Sequence, residues 1–230
     1  MANTVSVIMA VYNGEKYIEA AINSILTQSV AISKIIIVDD GSTDTTVDNI
    51  ASFKNSNITL LTQQNCGQAR AINAALPFVE TDFITFLDAD DIWKSNKTAL
   101  QLAAFESNPA AQLCFGGMEE FISPELPIDE QNKIRLNPVT FNAKVRPCMM
   151  IRREVMRDFG AFPEVPTMDF IAWYASIKSK IASEIFVNDI VLRRRLHLNN
   201  VSRLERKKVD IANTFKAILE QRRKANQSNG

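Results

Sequence analysis

Four short predicted strands, of which the first is apolar on both faces and the second is also buried, constrain the fold of this chain more than any other feature. A half-exposed strand alternates apolar and polar residues, whereas a strand that is apolar throughout is covered on both sides. Such strands are typical of parallel sheets, in which helices cover both faces. The four segments are VSVIMAVY (5–12), KIIIVDD (34–40), ITLLTQ (58–63) and DFITFLD (82–88).

Segments with an apolar stripe at helical spacing separate these four strands, over 15–28, 43–53 and 67–79. Strand and helix alternating in this order predict an α/β fold, with a mostly parallel sheet flanked by helices. The pattern is less regular after residue 94. There we predict helices over 95–107 and 169–179, strands near 111–116 and 185–192, a strand and then a helix over 148–160, an extended proline-spaced segment over 122–147, and a basic amphipathic helix from about 203.

Charge and cysteine usage narrow the class of protein. The formal net charge is zero, so we expect no nucleic-acid partner. The three cysteines are widely spaced and odd in number, which favours reduced thiols in a cytosol over a disulfide framework. No stretch approaches the ~20 apolar residues of a membrane span, and the first apolar run is too short for a signal peptide. These features predict a soluble, cytoplasmic protein.

The charge is nevertheless unevenly distributed. Residues 193–224 contain eleven Lys or Arg residues against three Asp or Glu residues. A basic amphipathic helix in this region has two interpretations. It packs against its own domain or against a second copy in a homodimer, or it binds anionic lipid at the inner face of a membrane. The sequence leaves both open.

Polar and acidic residues follow each of the four predicted strands. Ligands of parallel α/β sheets bind at the edge where the carboxyl ends of the strands meet. The densest group there is Asp88, Asp90 and Asp91, three carboxylates within four positions. A divalent cation such as Mg²⁺ or Mn²⁺ relieves their mutual repulsion and binds phosphate oxygens as well. The alternative is a helix N-terminus, where negative charge is favourable.

Four motifs in sequence order resemble the nucleotide-sugar domain of glycosyltransferase family 2. They are VSVIMAVYNGEKYIEAAINSILTQ, IIIVDDGSTDTT, NCGQARAINAAL and ITFLDADDIW, all within residues 5–105. The resemblance implies the Rossmann-like GT-A fold and transfer from a nucleotide-diphosphate sugar with inversion at the anomeric carbon. It favours a UDP-sugar as the donor.

The resemblance also implies how the nucleobase is bound. Asp40 would hydrogen-bond the base, and a mismatched base would leave buried polar groups unpaired. Tyr12 would stack on the base, with Ala10 and Val11 offering backbone contacts. The alternative for Tyr12 is packing in the core.

Further residues of the donor site follow from the same resemblance. Asp88 would reach the ribose or sugar hydroxyls and share the metal with Asp90, whereas Asp91 would cap or support the next helix. Gly67 and Arg70 would begin the third helix near the substrate. Arg70 would contact phosphate or sugar, or would pair with an acid instead.

The second half carries matches to the family's catalytic segments. Asp169 is the candidate general base, which would take the proton of an acceptor hydroxyl. In the family a Glu usually precedes this acid, and here Met168 stands in its place; a helix N-cap is the alternative role for Asp169. In VLRRRLHLNNVS (191–202), His197 would be a late metal or diphosphate ligand, and Arg194 or Arg195 would stabilise the charge of the leaving group. The alternative for His197, the single histidine, is a structural or exposed role.

Together these features predict a metal-dependent inverting glycosyltransferase that moves a sugar from a UDP-sugar to an acceptor hydroxyl. The acceptor is left open among a saccharide, a lipid-linked molecule and a peptide. Two other functions are considered, a nucleotidyltransferase and a nucleotide-sugar-binding protein without catalytic activity. We expect residues 1–230 to form one domain, with a nucleotide-sugar-binding half (1–110), an acceptor and catalytic half (111–202) and a C-terminal helix and tail (203–230).

Overall fold

The structure is a computed structural model that describes residues 3–165, 168–198 and 200. Its strands are β1 (Val5–Val11), β2 (Lys34–Asp39), β3 (Ile58–Thr62), β4 (Phe83–Phe86), β5 (Ile92–Trp93), β6 (Leu113–Ile122), β7 (Met150–Arg152) and β8 (Glu184–Leu196). Its α-helices are α1 (Ile18–Leu26), α2 (Thr46–Ala51), α3 (Gln68–Ala75), α4 (Lys97–Ser107), α5 (Ile128–Gln131), α6 (Arg153–Phe159) and α7 (Asp169–Ile177). Short 3₁₀ turns occupy Leu76–Phe78 and Arg146–Cys148.

The strands form one mixed sheet in the order β3-β2-β1-β4-β7-β6-β8-β5. Neighbouring strands from β3 to β4 are parallel, as are β6 and β8. By contrast, β7 and β5 run antiparallel to their neighbours. The predicted mostly parallel α/β sheet is therefore confirmed. Its strand order places the carboxyl ends of β1, β2 and β4 side by side.

Apolar side chains cover both faces of the sheet, which explains why the first strands show no polar alternation. In β1, Val7 and Met9 enter the core that also contains residues of α1 and α4. Between them, Ile8 points into the opposite core, which contains residues of α3, α6 and α7. Full burial of such a side chain stabilises the fold by about 1.5–3 kcal/mol. The parallel half of the sheet is therefore a firm platform for the loops at its edge.

Strands β6 and β8 extend several residues beyond the apolar runs that predicted them. In the extension Glu119 lies opposite Arg193, and the Arg193 Nε atom is 3.2 Å from a carboxylate oxygen of Glu119. Opposite charges on neighbouring strands stabilise their pairing. This extension could not be predicted from either segment alone, because it depends on residues of both. Gly116 allows the close approach of the two strands, because a Cβ atom there would lie 2.6 Å from the Val191 side chain.

The proline-spaced segment between β6 and β7 is largely irregular, as predicted, apart from the single turn of α5 and the 3₁₀ turn Arg146–Cys148. It lies along β6 through two backbone hydrogen bonds between Met118 and Thr140, of 2.7 and 2.9 Å. The predicted basic helix from about 203 lies outside the described residues. Across the described ranges, no helix is long and apolar enough to cross a membrane.

Candidate active site

Hydrogen bonds join the loops that follow β1 and β2, and they leave Tyr12 at the surface. The Asn13 amide donates to Ser42 Oγ over 2.9 Å, and the Thr43 amide donates to Asn13 Oδ1 over 2.8 Å. Tyr12 remains 52% exposed, which excludes core packing and leaves its ring accessible for stacking. Ala10, two residues before Tyr12 in β1, has its side chain buried in the core. Backbone contact between Ala10 and a base stays a prediction.

Asp40 is buried and organises the loop between β3 and α3. Its Oδ1 atom accepts hydrogen bonds from Gln63 Nε2 (2.7 Å) and from the Cys66 amide (3.0 Å). Its Oδ2 atom accepts from the amide of Gly67 (2.8 Å), which has a φ of +94° and immediately precedes α3. The acid predicted to bind the nucleobase thus also holds the adjoining loop in place, a role that the sequence did not indicate. Its contact with a base stays a prediction.

Arg70 makes the ion pair that was its alternative interpretation. Its Nε atom donates to Glu164 Oε2 over 2.7 Å, and both side chains are about half exposed. Arg70 lies in the first turn of α3, and its contact with a phosphate or sugar stays a prediction.

Asp88 lies at the carboxyl end of β4 between two donors from other parts of the chain. Gln68 Nε2 donates to its Oδ1 atom over 3.0 Å, and Arg146 Nη2 lies 3.8 Å from the same oxygen. Partial burial raises the pKa of Asp88, and the Asp90 carboxylate raises it further, while the Arg146 guanidinium opposes that rise. The Asp88 carboxylate is therefore attracted by the Arg146 guanidinium and repelled by the Asp90 carboxylate, two residues further along the chain.

Asp90 and His197 lie together, as the metal-site prediction requires. His197 Nε2 is 3.0 Å from Asp90 Oδ2, and Asn200 Nδ2 donates to the same oxygen over 3.1 Å. The ring of Tyr17 packs beside the imidazole, with ring centroids 4.8 Å apart. His197 is buried, which excludes the exposed role.

Asp91 and Arg195 tie the acidic turn to β8. The Arg195 amide donates to Asp91 Oδ1 over 2.9 Å, and Arg195 Nε donates to the Asp90 carbonyl over 2.9 Å. The prediction that Asp91 supports the next helix was wrong, because α4 begins six residues later behind Asn96 and the Asp91 carboxylate bonds β8 instead. Burial, with the Asp90 and Asp88 carboxylates, raises the pKa of Asp91 well above its ordinary value.

The guanidinium of Arg195 is itself buried between aromatic rings. It lies 4.8 Å from the ring centroids of both Tyr17 and Phe121. Its Nη1 atom lies 3.4 Å from Glu125 Oε1. Arg195 thus bonds the acidic turn to β8, and its contact with a leaving diphosphate stays a prediction.

Asp169 is the first residue of α7, and its side chain does not cap that helix. The N-cap position belongs to Met168, so the alternative role for Asp169 is wrong. Instead, Asp169 Oδ2 accepts a hydrogen bond from Nη1 of Arg146, and both side chains are buried. The sequence did not single out Arg146, which connects the candidate base Asp169 with the donor-side acid Asp88.

The residues at this edge suit a hard or borderline divalent cation. Asp88 and Asp90 offer carboxylate oxygens and His197 an imidazole nitrogen, a donor set that Mn²⁺ accepts. In the part of the chain that the structure describes, no three such side chains are already arranged around a common metal position. A cation here would therefore take its remaining ligands from substrate phosphates, as Mg²⁺ usually does.

Two bacterial proteins are similar in sequence to most of this chain. It is 31% identical over 208 residues to UDP-Glc:alpha-D-GlcNAc-diphosphoundecaprenol beta-1,3-glucosyltransferase WfgD of Escherichia coli, covering 86% of this chain and 79% of that protein. It is 30% identical over 207 residues to the putative teichuronic acid biosynthesis glycosyltransferase TuaG of Bacillus subtilis, covering 86% of this chain and 81% of that protein.

Solved structures share the fold at lower identity. S. aureus TarS 1–349 in complex with UDP-GlcNAc superposes with a TM-score of 0.67 at 21% identity, over 86% of this chain and 60% of that one. The mannosyltransferase PcManGT from Pyrobaculum calidifontis, in complex with GDP-Man and Mn²⁺, superposes with a TM-score of 0.66 at 21% identity. The match covers 89% of this chain and 60% of that one. The chain thus spans about 60% of these solved chains.

The family itself follows from a direct match. The model of glycosyl transferase family 2 matches residues 6–160, which include β1 to β7 and every strand-end motif on the donor side. With the relatives above, this match shows both the family and the class of reaction. The chain belongs to glycosyl transferase family 2, and it is a glycosyltransferase with a mixed α/β fold of the GT-A type.

Proposed function

We propose that the protein transfers a sugar from a UDP-sugar to a hydroxyl of a saccharide acceptor, with inversion and with the help of Mn²⁺ or Mg²⁺. One observation carries the proposal. Asp88, on the donor side, and Asp169, the candidate base, approach the same buried guanidinium of Arg146. Donor and acceptor chemistry therefore belong to one site.

Each side chain has a role that its position supports. Tyr12 stacks on the base from the exposed end of β1, and Asp40 bonds the base while fixing the loop before α3. Asp88, Asp90 and His197 would hold the cation, and a bound cation would neutralise charge on the departing diphosphate. Asp169 accepts the proton of the attacking hydroxyl, a contribution of about 10²–10⁴-fold for a general base.

The choice of UDP and of a lipid-linked saccharide rests on the relatives. WfgD is named for UDP-Glc and for a saccharide on diphosphoundecaprenol, and TarS has been solved with UDP and with UDP-GlcNAc. Contact of the basic tail with an anionic membrane surface would bring the enzyme to such an acceptor. The tail lies outside the described residues, so that contact, like a homodimer, stays a prediction.

Calorimetry with UDP and Mn²⁺ tests the donor site. The double variant Asp88→Asn/Asp90→Asn should lower the affinity for UDP with Mn²⁺ by about 100-fold, because two anionic metal ligands become neutral amides. Asp158→Asn is the matched control, since Asp158 lies on the surface of α6 and pairs only with the neighbouring Arg157 among the described residues. Equal affinity of the double variant and the control would rule out the proposed cation site.

Product analysis separates the two other functions considered from the sequence. A glycosyltransferase releases UDP from UDP-glucose or UDP-N-acetylglucosamine as the sugar passes to an acceptor hydroxyl or to water. A nucleotidyltransferase instead releases pyrophosphate when it is given UTP and a sugar 1-phosphate, and a protein that only binds the donor releases neither product. Membership of the family favours the first outcome. Release of pyrophosphate, or binding without any release, would contradict the proposal.

A further inference from the structure

Arg146 lies at the centre of the proposed reaction site although no motif contains it. It begins the short 3₁₀ turn Arg146–Cys148, directly before β7, and is 5% exposed. Its Nη1 atom donates to Asp169 Oδ2, and its Nη2 atom lies 3.8 Å from Asp88 Oδ1. The Arg146 guanidinium thus lies between Asp169, the proposed base, and Asp88, a proposed ligand of the cation.

The two contacts differ in kind. The contact with Asp169 is a charge-assisted hydrogen bond between buried groups, whereas 3.8 Å to Asp88 is beyond hydrogen-bond distance and leaves a Coulomb attraction. Arg146 therefore holds the candidate base more tightly than the donor-side acid. Its removal should disturb proton transfer more than donor binding.

The hydrogen bond also distinguishes the two oxygens of Asp169. Oδ2 is occupied by Arg146, and no hydrogen bond to Oδ1 is found within the described ranges. The backbone of Asp169 is fixed because it begins α7. With backbone and one oxygen fixed, Oδ1 is the atom that remains to accept a proton.

The guanidinium in turn packs against Phe162, a residue after α6 whose backbone is bonded by a side chain of α3. It lies 5.6 Å from the ring centroid of Phe162. The amide of Asn73 bonds both backbone atoms of Phe162, donating to its carbonyl over 2.8 Å and accepting from its N–H over 3.0 Å. Asp40 bonds the amide of Gly67, the residue directly before α3. Helix α3 therefore connects the predicted nucleotide site with Phe162, which packs against Arg146.

We propose that Arg146 is a positioning residue that orients the base: it holds Asp169 Oδ2 so that Oδ1 faces the acceptor hydroxyl, at a fixed distance from the donor-side Asp88. The inference rests on the proposed function, because it takes Asp169 as the base. A guanidinium suits this task better than an ammonium, since its planar fork presents several donors in fixed directions. Lysine at this position would keep the charge but would not reproduce the geometry.

The test compares four variants of the full chain by UDP release from UDP-glucose or UDP-N-acetylglucosamine with Mn²⁺, and by the affinity for UDP with Mn²⁺. They are Arg146→Lys, Arg146→Gln, Asp169→Asn and the double variant Arg146→Gln/Asp169→Asn. For Arg146→Lys we expect kcat to fall about 10- to 100-fold while the affinity for UDP changes less than about threefold, because misplacement by about 1 Å costs up to about 100-fold. The double variant should be no slower than Asp169→Asn within about threefold, because Arg146 acts through Asp169.

The double variant also guards against misfolding. Arg146→Gln leaves a buried carboxylate unpaired, which is strongly destabilising, whereas the double variant removes both charges together. Wild-type kcat in Arg146→Lys, a loss confined to UDP affinity, or multiplied losses in the double variant would each overturn the inference. If Asp169→Asn retains full activity, it is the proposed base that fails, and the two failures are distinguishable.

Discussion

His197 Nε2 lies 3.0 Å from Asp90 Oδ2, although 107 residues separate the two along the chain. The contact follows from strand pairing. Asp90 lies in the turn before β5, His197 comes directly after β8, and β5 pairs with β8. The proposed cation site is therefore completed by a strand from the second half of the chain.

Replacement of this histidine should weaken cation-dependent binding specifically. We expect His197→Ala to lower the affinity for UDP with Mn²⁺ by about 10- to 100-fold, the usual effect of losing a group at a metal site. Affinity for UDP without a cation should change little, and calorimetry with and without Mn²⁺ measures both. Leu198→Ala is the control, because Leu198 is the exposed neighbour and surface substitutions cost little. An equal effect of the two variants would contradict a role of His197 in cation binding.

Cys66 should report occupation of the donor site. It is exposed, and its amide bonds Asp40, whereas Cys114 and Cys148 are buried, and burial raises the pKa of both thiols to about 12. Because the thiolate is the reactive form, we expect iodoacetamide to label Cys66 alone in the native protein. UDP with Mn²⁺ should slow this labelling severalfold, as followed by mass spectrometry.

The control for this experiment is Cys66→Ser, which should abolish native labelling. Labelling of either buried cysteine at a comparable rate would contradict the selective reaction of Cys66. A rate for Cys66 that UDP with Mn²⁺ leaves unchanged would show that the loop before α3 is not at the nucleotide site.

Gly41, directly after Asp40, is expected to tolerate no side chain. It has a φ of +79°, and a Cβ atom there would lie 2.9 Å from the Asn65 backbone nitrogen. We expect Gly41→Ala to reduce the free energy of unfolding by about 1–3 kcal/mol and to weaken UDP binding, because the loops after β2 and β3 must move apart.

Gly160→Ala is the matched control for Gly41→Ala. Gly160 has a similar φ of +81°, but nothing lies within 4 Å of its added Cβ atom. It should show backbone strain alone, with unchanged affinity for UDP. If both variants bind UDP equally well, the close packing of the loops after β2 and β3 does not support the donor site.

Lys97 should make stability depend on pH in the alkaline range. It is fully buried and donates to Thr85 Oγ1 (2.8 Å) and Gln101 Oε1 (2.6 Å), two acceptors without charge. Burial lowers the pKa of Lys97 to about 7. In the unfolded chain the ordinary lysine value of about 10.4 applies. Between these values the unfolded state binds a proton that the folded state does not, so stability rises with pH.

Urea unfolding at several pH values measures this effect against Lys97→Met. From pH 7 to pH 10 the free energy of unfolding of the wild type should rise relative to the variant, with a slope approaching about 1.4 kcal/mol per pH unit. Below pH 7 the two curves should run parallel, since Lys97 is then protonated in both states. Parallel curves over the whole range would show that Lys97 keeps its charge in the core.

The donor half of the site was predictable because its signals are local. Strands such as β1 and β2 are apolar on both faces, so their ends, with Tyr12 and Asp40, were placed at the edge of the sheet from sequence alone. The same reasoning put Asp88 and Asp90 beside them. The role of Asp40 in holding the loop before α3 was missed, because it depends on amide directions that no residue pattern records.

The structure of the second half of the chain was harder to predict, because it depends on contacts between residues that are distant in sequence. Strand β5 was not predicted, because two residues carry no periodicity and form a strand only by pairing with β8. Arg146 was missed for a related reason. It follows a proline-spaced segment, and its two acidic partners, Asp88 and Asp169, come from separate strand and helix ends. Only the apolar neighbours Val145 and Pro147 indicate that this arginine is buried.

The position of β8 between β6 and β5 has a consequence for biosynthesis. On the ribosome, β5 emerges long before the strand it pairs with, and translation at about 5–20 residues per second leaves it waiting on the order of 10 s. During that interval β1, β2 and β4 have already been synthesised, but the chain lacks the strand that brings His197 to Asp90. The proposed cation site should therefore form only after β8 has been synthesised and has entered the sheet.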